Sequence, residues 1–544
     1  MLALLLHAHL PFVRHPEHEH FLEEDWLFEA ITETYLPLVD MLFRLAEEGV
    51  PFRLAMTVTP TLGHMLRDPL LLARYERHLA QLIALTESEA RRLAGQPEAE
   101  AARFHLLRLF RVREWWALIE HDIVAALGKL QDHGLELVAC AATHGFLPLM
   151  QQPDAQVRLG VAVHREMFGR EPAGFWMPEC AYTPGLDTLL AEHGVRWTAL
   201  DAHGLTRATP KPRNAVWSPV FMPSGVAAFG RDRDSARQVW STADGYPGDP
   251  AYREFYRDAG WDAPLDALLP FLPDGVRKFT GLKLHRITGH EPKEPYDRTA
   301  AMRAVERHAA HFVAERAAQL RVLRECMDVP PVIFAPFDAE LFGHWWFEGP
   351  EWLEAVLRKC AGSREVPLTT PAQYLAEHDT HQLVQPAASS WGDAGHWGVW
   401  LDPVNAWIYP LLHAAERRMA RLCDEASQAL PATGASQLRL NERALRQLAR
   451  ELLLAQSSDW AFLMRAGTAR EYATLRTKKH LRRFETLADE LAAGQVDEAT
   501  LRTMEERDNF LPDIDWRAFA ESGHLPPPAA ARIGDGCQTP QSPV

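Results

Sequence analysis

The chain has few cysteines, and their placement excludes the sites that cysteines usually build. Only six occur in 544 residues, and no two form a CxxC pair. This spacing predicts neither a zinc site nor a disulfide framework, and it favours a reducing compartment. The first residues, MLALLLHAHLPFVR, lack the basic region of a signal peptide, and their apolar run stops at His7. We therefore expect a cytoplasmic protein.

Positive charge is also in short supply, which narrows the range of partners. Lys and Arg total 57 against 73 Asp and Glu, for a formal net charge of −16. Such an excess of negative charge repels nucleic acid and anionic membranes. No apolar run is long enough to span a bilayer. We therefore expect no nucleic acid and no membrane as partner, whereas a neutral polymer such as a glucan needs no charge match. The oligomeric state stays open.

Two common catalytic signatures are missing as well. Neither GxGxxG nor GxxxxGK[ST] occurs between a strand and a helix, and no GxSxG is present. The sequence therefore predicts neither a phosphate-binding loop nor the nucleophile elbow of an α/β-hydrolase.

What the sequence does contain is an alternation of short apolar runs and long helical patterns. Five runs predict buried strands. These runs are LALLL (2–6), FRLAMTV (52–58), LELVACA (135–141), RWTAL (196–200) and PVIFAPF (331–337). Helical patterns cover about 27–49, a long excursion near 66–132, about 153–168 and about 298–326. This rhythm predicts an α/β fold with a parallel sheet, and the chain length favours a barrel.

The same patterns divide the chain into a barrel and a helical region. We expect a catalytic domain over 1–379, with long loops over 202–297, where Pro, Gly and Arg are frequent. Residues 380–404 are expected to form a connector that carries tryptophans, and 405–525 a helical C-terminal domain. The tail, 526–544, has little to bury and is predicted to be disordered.

Two acidic residues stand at predicted strand ends in aromatic surroundings. Glu179 follows GFWMP, and Asp338 follows VIFAPF. The carboxyl ends of the strands form the active-site face of parallel barrels. Retaining cleavage of a glycosidic bond needs two carboxyl groups about 5–5.5 Å apart, one as nucleophile and one as acid/base. One such segment alone is more often a helix cap beside core aromatics, but two at strand ends favour a catalytic pair. We then expect burial to raise the pKa of Asp338, and Glu179 to stay ionised.

Three histidines are placed to join this pair. His7 and His9 lie on the same face of an extended strand end, because strand side chains alternate, and His144 follows another strand. Their rings can donate hydrogen bonds to sugar hydroxyls, bind a metal ion, or simply belong to the core. If these histidines bind a metal ion, a metal-dependent polysaccharide deacetylase with a carboxylate as base is an alternative function.

Tryptophans in Gly- and Asp-rich segments form the third candidate group. Trp240 lies in one such segment, and Trp391 and Trp400 lie in SSWGDAGHWGVWLD. Indole rings there suit a cleft that binds sugars, although an interdomain contact explains any single one equally well. Asp459 opens a helix in SSDWAFLM, where it could be only an N-cap. A non-catalytic glucan-binding protein is therefore a further alternative.

Several motifs occur together in a family-specific order. They are HAHLPFVR, ATHGFLPL, GFWMPECAY, QVWS with DGYPGDPAYREF, FAPFDAELFGHWWFEG, SSWG with VWLD, and SSDWAFLM. This set resembles glycoside hydrolase family 57, in particular its 1,4-α-glucan branching-enzyme-like branch, over about residues 1–490. The resemblance implies a distorted (β/α)7 TIM-like barrel with a helical C-terminal domain, a retaining mechanism, and no metal or organic cofactor. The implied substrate is an α-glucan such as glycogen, amylose or maltodextrin.

The resemblance also assigns roles residue by residue. It places the nucleophile at Glu179 and the general acid/base at Asp338. The substrate-contacting positions fall on His7, His144, Trp240, Trp391, Trp400 and Asp459, and His9 and Trp26 match the family pattern too.

One departure from the family pattern bears on the reaction. Branching members usually carry a longer loop before QVW, with a tyrosine at its tip that shields the intermediate. No tyrosine occurs here between Asp201 and Trp240. Water would then reach the intermediate more easily. An intracellular α-amylase using the same residues therefore stays open beside a 1,4-α-glucan branching enzyme of glycogen biosynthesis.

Overall fold

One eight-stranded sheet organises the computed structural model, which describes residues 1–241, 244–272, 275–428 and 435–520. Its strands are β1 (Leu2–Ala8), β2 (Leu54–Val58), β3 (Leu135–Cys140), β4 (Gly174–Trp176), β5 (Trp197–Leu200), β6 (Val220–Phe221), β7 (Ala227–Gly230) and β8 (Ile333–Asp338). The spatial order is β6-β7-β5-β4-β3-β2-β1-β8.

The sheet has the topology of a distorted barrel. Seven neighbouring strands, from β7 through β1 to β8, pair in parallel, and only β6 pairs antiparallel. A further parallel bridge joins Arg231, directly after β7, to Phe334 in β8, and the amide of Asp232 donates to the Phe334 carbonyl at 2.8 Å. The two outer parallel strands therefore meet. This confirms the predicted (β/α)7 TIM-like barrel.

The five strands predicted from apolar runs are confirmed, but the loops predicted over 202–297 are partly wrong. That segment contains β6, β7 and short helices. The sequence of β7 is only AAFG, in which small residues leave no length or periodicity signal. It is a strand because it pairs with β5 along its length and because Arg231, directly after its end, bridges to Phe334 in β8.

Helices connect the strands and make up the C-terminal part of the chain. Up to β8 they are α1 (Glu24–Ala30), α2 (Leu36–Glu47), α3 (Pro60–Met65), α4 (Pro69–Arg92), α5 (Ala99–Leu118), α6 (Ile123–Leu130), α7 (Asp154–Phe168), α8 (Leu186–Glu192), α9 (Ala202–Thr206), α10 (Arg233–Trp240), α11 (Ala259–Asp262), α12 (Leu265–Leu268) and α13 (Arg298–Cys326). After β8 come α14 (Gly349–Cys360), α15 (Pro371–Glu377), α16 (Ile408–Gln428), α17 (Ala435–Ala455), α18 (Ser458–Ala466), α19 (Arg470–Ala492) and α20 (Glu498–Arg507). Within the described ranges, no helix combines the length and apolar character needed to cross a bilayer.

The C-terminal helices meet the carboxyl ends of the strands at the start of α18. The amide of Ser458 donates to the carbonyl of His144 at 3.1 Å, and Ser457 forms an antiparallel bridge with Gly145. The loop after β3 and the start of α18 are therefore fixed to one another. The domain limits at 379 and 405 stay predictions, and the predicted tail over 526–544 lies outside the described residues.

The predicted connector, 380–404, runs along the rim of the barrel. Leu383 bridges to β6, and Ser389 forms an antiparallel bridge with Tyr182, just after β4. This second contact brings Trp391 beside Glu179, where its amide donates to the Glu179 carbonyl at 2.9 Å.

Candidate active site

The site forms at the carboxyl ends of β1 and its neighbours. Strand register places His7 of β1 between Thr57 of β2 and Asp338, the last residue of β8. His9 follows the end of β1. Because parallel strands all end on the same side of a barrel, the polar residues at these ends point into one cleft.

Glu179 is held by an unusual backbone conformation and by three hydrogen bonds. It has φ 64° and ψ 21°, in the left-handed region that residues with a side chain rarely adopt. Its carbonyl accepts the Trp391 amide noted above, and its carboxylate accepts the indole N–H of Trp391 at 2.8 Å. The hydroxyl of Ser458 donates to the other carboxylate oxygen at 3.1 Å. A strained residue fixed in this way is characteristic of a functional site.

The histidines form one stacked cluster next to Glu179. His7 Nε2 lies 2.9 Å from His144 Nε2, and the ring of His144 stacks on that of His9 with centroids 3.8 Å apart. His144 Nδ1 bonds the Ser458 hydroxyl at 2.9 Å and lies 3.7 Å from the Glu179 carboxylate. Burial, followed by the charge of His9, pushes the pKa of His7 and of His144 well below the usual range. Both are therefore neutral rings near neutral pH.

His9 and Asp459 form the charged part of the cluster. His9 Nε2 donates to the Asp459 carboxylate at 3.0 Å. Burial opposes both charges, but the pairing outweighs it: the pKa of His9 is raised, and that of Asp459 falls to about 2. Asp459 is therefore an ionised carboxylate inside the cleft, brought there by α18.

Asp338 has a different environment from Glu179. Among the residues that the structure describes, none donates a hydrogen bond to its carboxylate. Burial, and next the nearby charge of Glu340, raise the pKa of Asp338 to about 7. Glu340 accepts the hydroxyl of Tyr35 at 2.5 Å and the amide of His9 at 3.0 Å. The predicted rise in the pKa of Asp338 is thus confirmed.

The expectation that Glu179 is simply ionised has to be corrected for the free site. Burial raises its pKa to about 7, and the charges of Asp338 and Asp459 add to this, while the Trp391 hydrogen bond opposes it. The resemblance assigned Asp459 to the substrate, and the structure brings this third carboxylate close enough to Glu179 to raise its pKa further. Glu179 is therefore ionised only in part around neutral pH in the free site.

Three of these side chains have the spacing of a metal site. His9, His144 and Asp459 each offer a ligand atom, and these atoms lie within 4.8 Å of one another. All three are already engaged: His9 with Asp459, and His144 with His7 and Ser458. A second buried group, Glu451 with His480 and Asp508, lies beside arginine side chains that neutralise its carboxylates. In both groups, hydrogen bonds or ion pairs connect the candidate ligands to neighbouring side chains.

The structure brings seven of the ten predicted site residues together. They are Glu179, Asp338, His7, His9, His144, Trp391 and Asp459. Trp26 stands edge-on to Tyr472 with ring centroids 6.0 Å apart. Trp240 ends α10 with part of its ring exposed. Substrate contacts by Trp26 and Trp240 stay predictions.

Trp400 has a less accessible position than the sequence suggested. It is buried, and its ring stacks on Phe146 with centroids 4.7 Å apart. The motif placed it near the cleft, but its ring packs in the core rather than lining an open surface. A direct sugar contact by Trp400 therefore stays a prediction that requires this packing to change.

Three contributors to the site escaped sequence reasoning. Ser458 stands beside Asp459 in SSDW, and Glu340 lies two residues after Asp338, so motif proximity was a usable signal for both. Arg231 had no such signal, because it follows the unrecognised strand β7. Its guanidinium lies 5.4 Å from the ring of Trp391, and its charge partly opposes the raised pKa of Asp338.

Two family models and a curated protein match this chain. The family model described as glycosyl hydrolase family 57 matches residues 3–264, and that described as 1,4-alpha-glucan branching enzyme, C-terminal, matches 411–519. The chain is similar to the 1,4-alpha-glucan branching enzyme TK1436 of Thermococcus kodakarensis. The two are 35% identical over 557 residues, which cover 94% of this chain and 78% of that protein.

Solved structures carry both kinds of activity in their descriptions. The α-amylase AmyC of Thermotoga maritima is 42% identical, with a TM-score of 0.88, covering 95% of this chain and 98% of that one. The family 57 branching enzyme of Pyrococcus horikoshii is 33% identical, with a TM-score of 0.85, covering 96% of this chain and 98% of that one. Both likenesses extend over barrel and C-terminal helices together.

Proposed function

The chain belongs to glycoside hydrolase family 57, in its 1,4-α-glucan branching-enzyme branch, and on this premise we propose the roles of its two central acids. Glu179 is the nucleophile and Asp338 the general acid/base of a retaining transfer on an α-glucan. The observation that supports this division is the difference between their environments. Donors from Trp391 and Ser458 favour a carboxylate at Glu179, whereas the neighbouring Glu340 favours a protonated Asp338.

In the first step a carboxylate oxygen of Glu179 attacks C1 of an α-1,4-linked glucose. The bond from C1 to the departing oxygen breaks, and Asp338 gives its proton to that oxygen. A β-linked glycosyl-enzyme forms, and the reducing-end portion of the chain leaves. Two neutral histidines, His7 and His144, lie beside this point, and hydrogen bonds to Thr57, Ser458 and each other fix their rings there.

In the second step the 6-hydroxyl of another glucan attacks the same C1 from the opposite side. Asp338, now ionised, takes the hydroxyl proton, and Glu179 leaves as a carboxylate. Two inversions restore the α configuration, and an α-1,6 branch results. The name of the curated relative and the match to the branching-enzyme C-terminal model support transfer to a sugar hydroxyl.

Hydrolysis is a second candidate that one observation favours. If water takes the place of the 6-hydroxyl, the same two acids release a shortened chain with a new reducing end. The absence of tyrosine between Asp201 and Trp240 leaves the intermediate without the cover found in branching members, and the structure of an α-amylase is 42% identical. The two reactions share their first step and differ only in the acceptor.

Product analysis on linear amylose separates the two candidates. We expect several new α-1,6 linkages for each new reducing end, because the curated relatives that the chain matches over most of its length are named as branching enzymes. Both products are quantified in the same samples over time, with the Glu179→Gln variant as the background control. Reducing ends that accumulate without α-1,6 linkages would establish hydrolysis instead.

The two raised pKa values predict a narrow, bell-shaped pH profile for kcat/KM. Activity needs Glu179 ionised, so it falls as the pH drops below the Glu179 pKa of about 7. It also needs Asp338 protonated, so it falls as the pH rises above the Asp338 pKa of about 7. The acid limb therefore reports Glu179, the base limb reports Asp338, and the maximum lies near neutral pH.

Replacing Trp391 by phenylalanine should move only the acid limb. Phenylalanine keeps an aromatic ring beside Trp176, but it lacks the N–H whose hydrogen bond lowers the Glu179 pKa. The Glu179 pKa then rises, so the acid limb shifts to higher pH by about one unit, and kcat at its optimum falls about tenfold. The base limb, set by Asp338, is the internal control. An unmoved acid limb would show that Glu179 does not govern it.

We also propose a cytoplasmic location and an α-glucan as the substrate. The scattered free cysteines support the first, and the polymer named in the description of the curated relative supports the second. Fractionation of the source cells, with the protein detected by antibody, tests the location.

A further inference from the structure

Exposed aromatic rings form a continuous strip on the barrel surface outside the catalytic pair. It consists of Trp345, Phe255, Phe279 and Trp261, which we call the aromatic strip. Trp345 is 54% exposed, Trp261 53% and Phe279 43%. Indole and phenyl rings of this size are normally buried, so a cluster left in solvent marks a binding surface.

The rings are linked one to the next. Trp345 stacks on Phe255 with centroids 4.6 Å apart and planes inclined by 23°. The amine of Lys283 lies 4.1 Å from the centre of Phe255 and 5.5 Å from that of Phe279. Phe279 in turn meets Trp261 edge-on, with centroids 6.2 Å apart. One buried lysine therefore ties the two halves of the strip together.

Behind the strip, a buried ionic network holds the rings in place. Lys283 is buried, and the charges of Glu33, Glu29 and Asp258 oppose the lowering of its pKa by burial. Glu33 also pairs with Arg253 at 2.6 Å. A lysine fixed in this way cannot swing out into solvent. The rings that it contacts are thus presented in defined orientations, so binding to them costs little ordering entropy.

The strip is connected to the catalytic centre through Trp345. This residue lies seven positions after Asp338, and its amide donates to the carbonyl of Glu340 at 3.2 Å. Glu340 is the acid that raises the Asp338 pKa and accepts the His9 amide. The strip therefore includes a residue of the same short segment that carries Asp338 and Glu340.

We propose that the aromatic strip binds the α-glucan chain at a site separate from the catalytic pair. The ligand class rests on the proposed function, and the geometry is what an oligosaccharide needs. Apolar faces of successive glucose rings pack on aromatic faces, and Trp345 with Trp261 provides two such surfaces some distance apart. Short oligosaccharides that fill only the catalytic cleft do not reach the strip. The strip therefore selects long chains over short ones.

Binding without turnover tests this proposal. All variants are made in the Glu179→Gln background. The test variant combines Trp261→Ala with Phe279→Ala. The control is Val322→Ala, which changes an exposed apolar residue on α13. Dissociation constants are measured for soluble amylose and for maltotriose. We expect the double variant to weaken amylose binding about tenfold and maltotriose binding less than about twofold, with no change for Val322→Ala.

A second variant and a second readout keep the outcomes distinct. Trp345→Ala should lower the ratio of kcat/KM on amylose to kcat/KM on a short maltooligosaccharide, with thermal unfolding as the check on folding. Equal losses for long and short ligands, or no loss for either, would overturn the strip as a glucan site. The proposal would also be overturned if sedimentation showed that the unmutated protein dimerises through the aromatic strip. Failure of the proposed function looks different: amylose binds to the strip, but no glycosidic bond is broken or formed.

Discussion

Replacing Glu179 by glutamine is expected to lower kcat on amylose by about five orders of magnitude, the loss typical of removing a catalytic nucleophile. Glutamine keeps the size of the side chain; its Oε1 can accept the Trp391 N–H while its Nε2 donates to the Ser458 hydroxyl oxygen. It cannot form the glycosyl ester. Binding of the substrate should persist, since the histidine cluster and Asp459 are unchanged.

The smaller Glu179→Ala variant supplies a stronger form of the same test. Azide can enter the space left by the carboxylate and attack C1 from the β face. We expect it to restore turnover and to give a β-glycosyl azide, because only one inversion then takes place. Glu192→Gln, an exposed change on α8, serves as the handling control. Full activity in Glu179→Gln, or an α-configured azide product, would rule out this residue as nucleophile.

Replacing Asp338 by asparagine should produce a loss that depends on the leaving group. On amylose, whose departing oxygen needs a proton, kcat should fall by about 10³-fold. On an α-maltosyl fluoride the first step should fall less than about tenfold, because fluoride leaves without protonation. The base limb of the pH profile should disappear with the acid that produces it.

The contrast between substrates is the control within this experiment. A variant that is merely misfolded loses both activities in proportion, and thermal unfolding of Asp338→Asn checks this separately. Equal losses on amylose and on the fluoride would show that Asp338 positions the substrate rather than donating a proton.

The barrel was predictable where its strands carry their own signal. LALLL and VIFAPF are buried on both faces, so their continuous apolar runs mark them as central parallel strands. AAFG carries no such signal, because its strand character comes from neighbours that are distant in sequence. Because the prediction missed this strand, it also missed Arg231, which directly follows the strand and faces Trp391.

The two acids were predictable because each closes a strand end next to aromatic residues. Their electrostatics were predictable only in part. Asp338 behaves as expected, since burial and its sequence neighbour Glu340 act in the same direction. Glu179 does not, because burial raises its pKa, and the charges of Asp338 and of Asp459, which lies 280 positions further along the chain, add to the rise. The resemblance placed Asp459 at the substrate, but only the packing of the C-terminal helices on the barrel decides that its charge acts on Glu179.

The presence of Asp459 makes one measurement the most direct test of the account. It is ionised and buried close to Glu179, so it is the other residue that could carry a glycosyl group. Asp338→Asn slows the second step, so incubation with α-maltosyl fluoride and rapid acid quenching should trap the covalent intermediate. Mass mapping of the peptides should place the maltosyl group on Glu179. An adduct on Asp459, or no adduct while fluoride is released, would contradict the account.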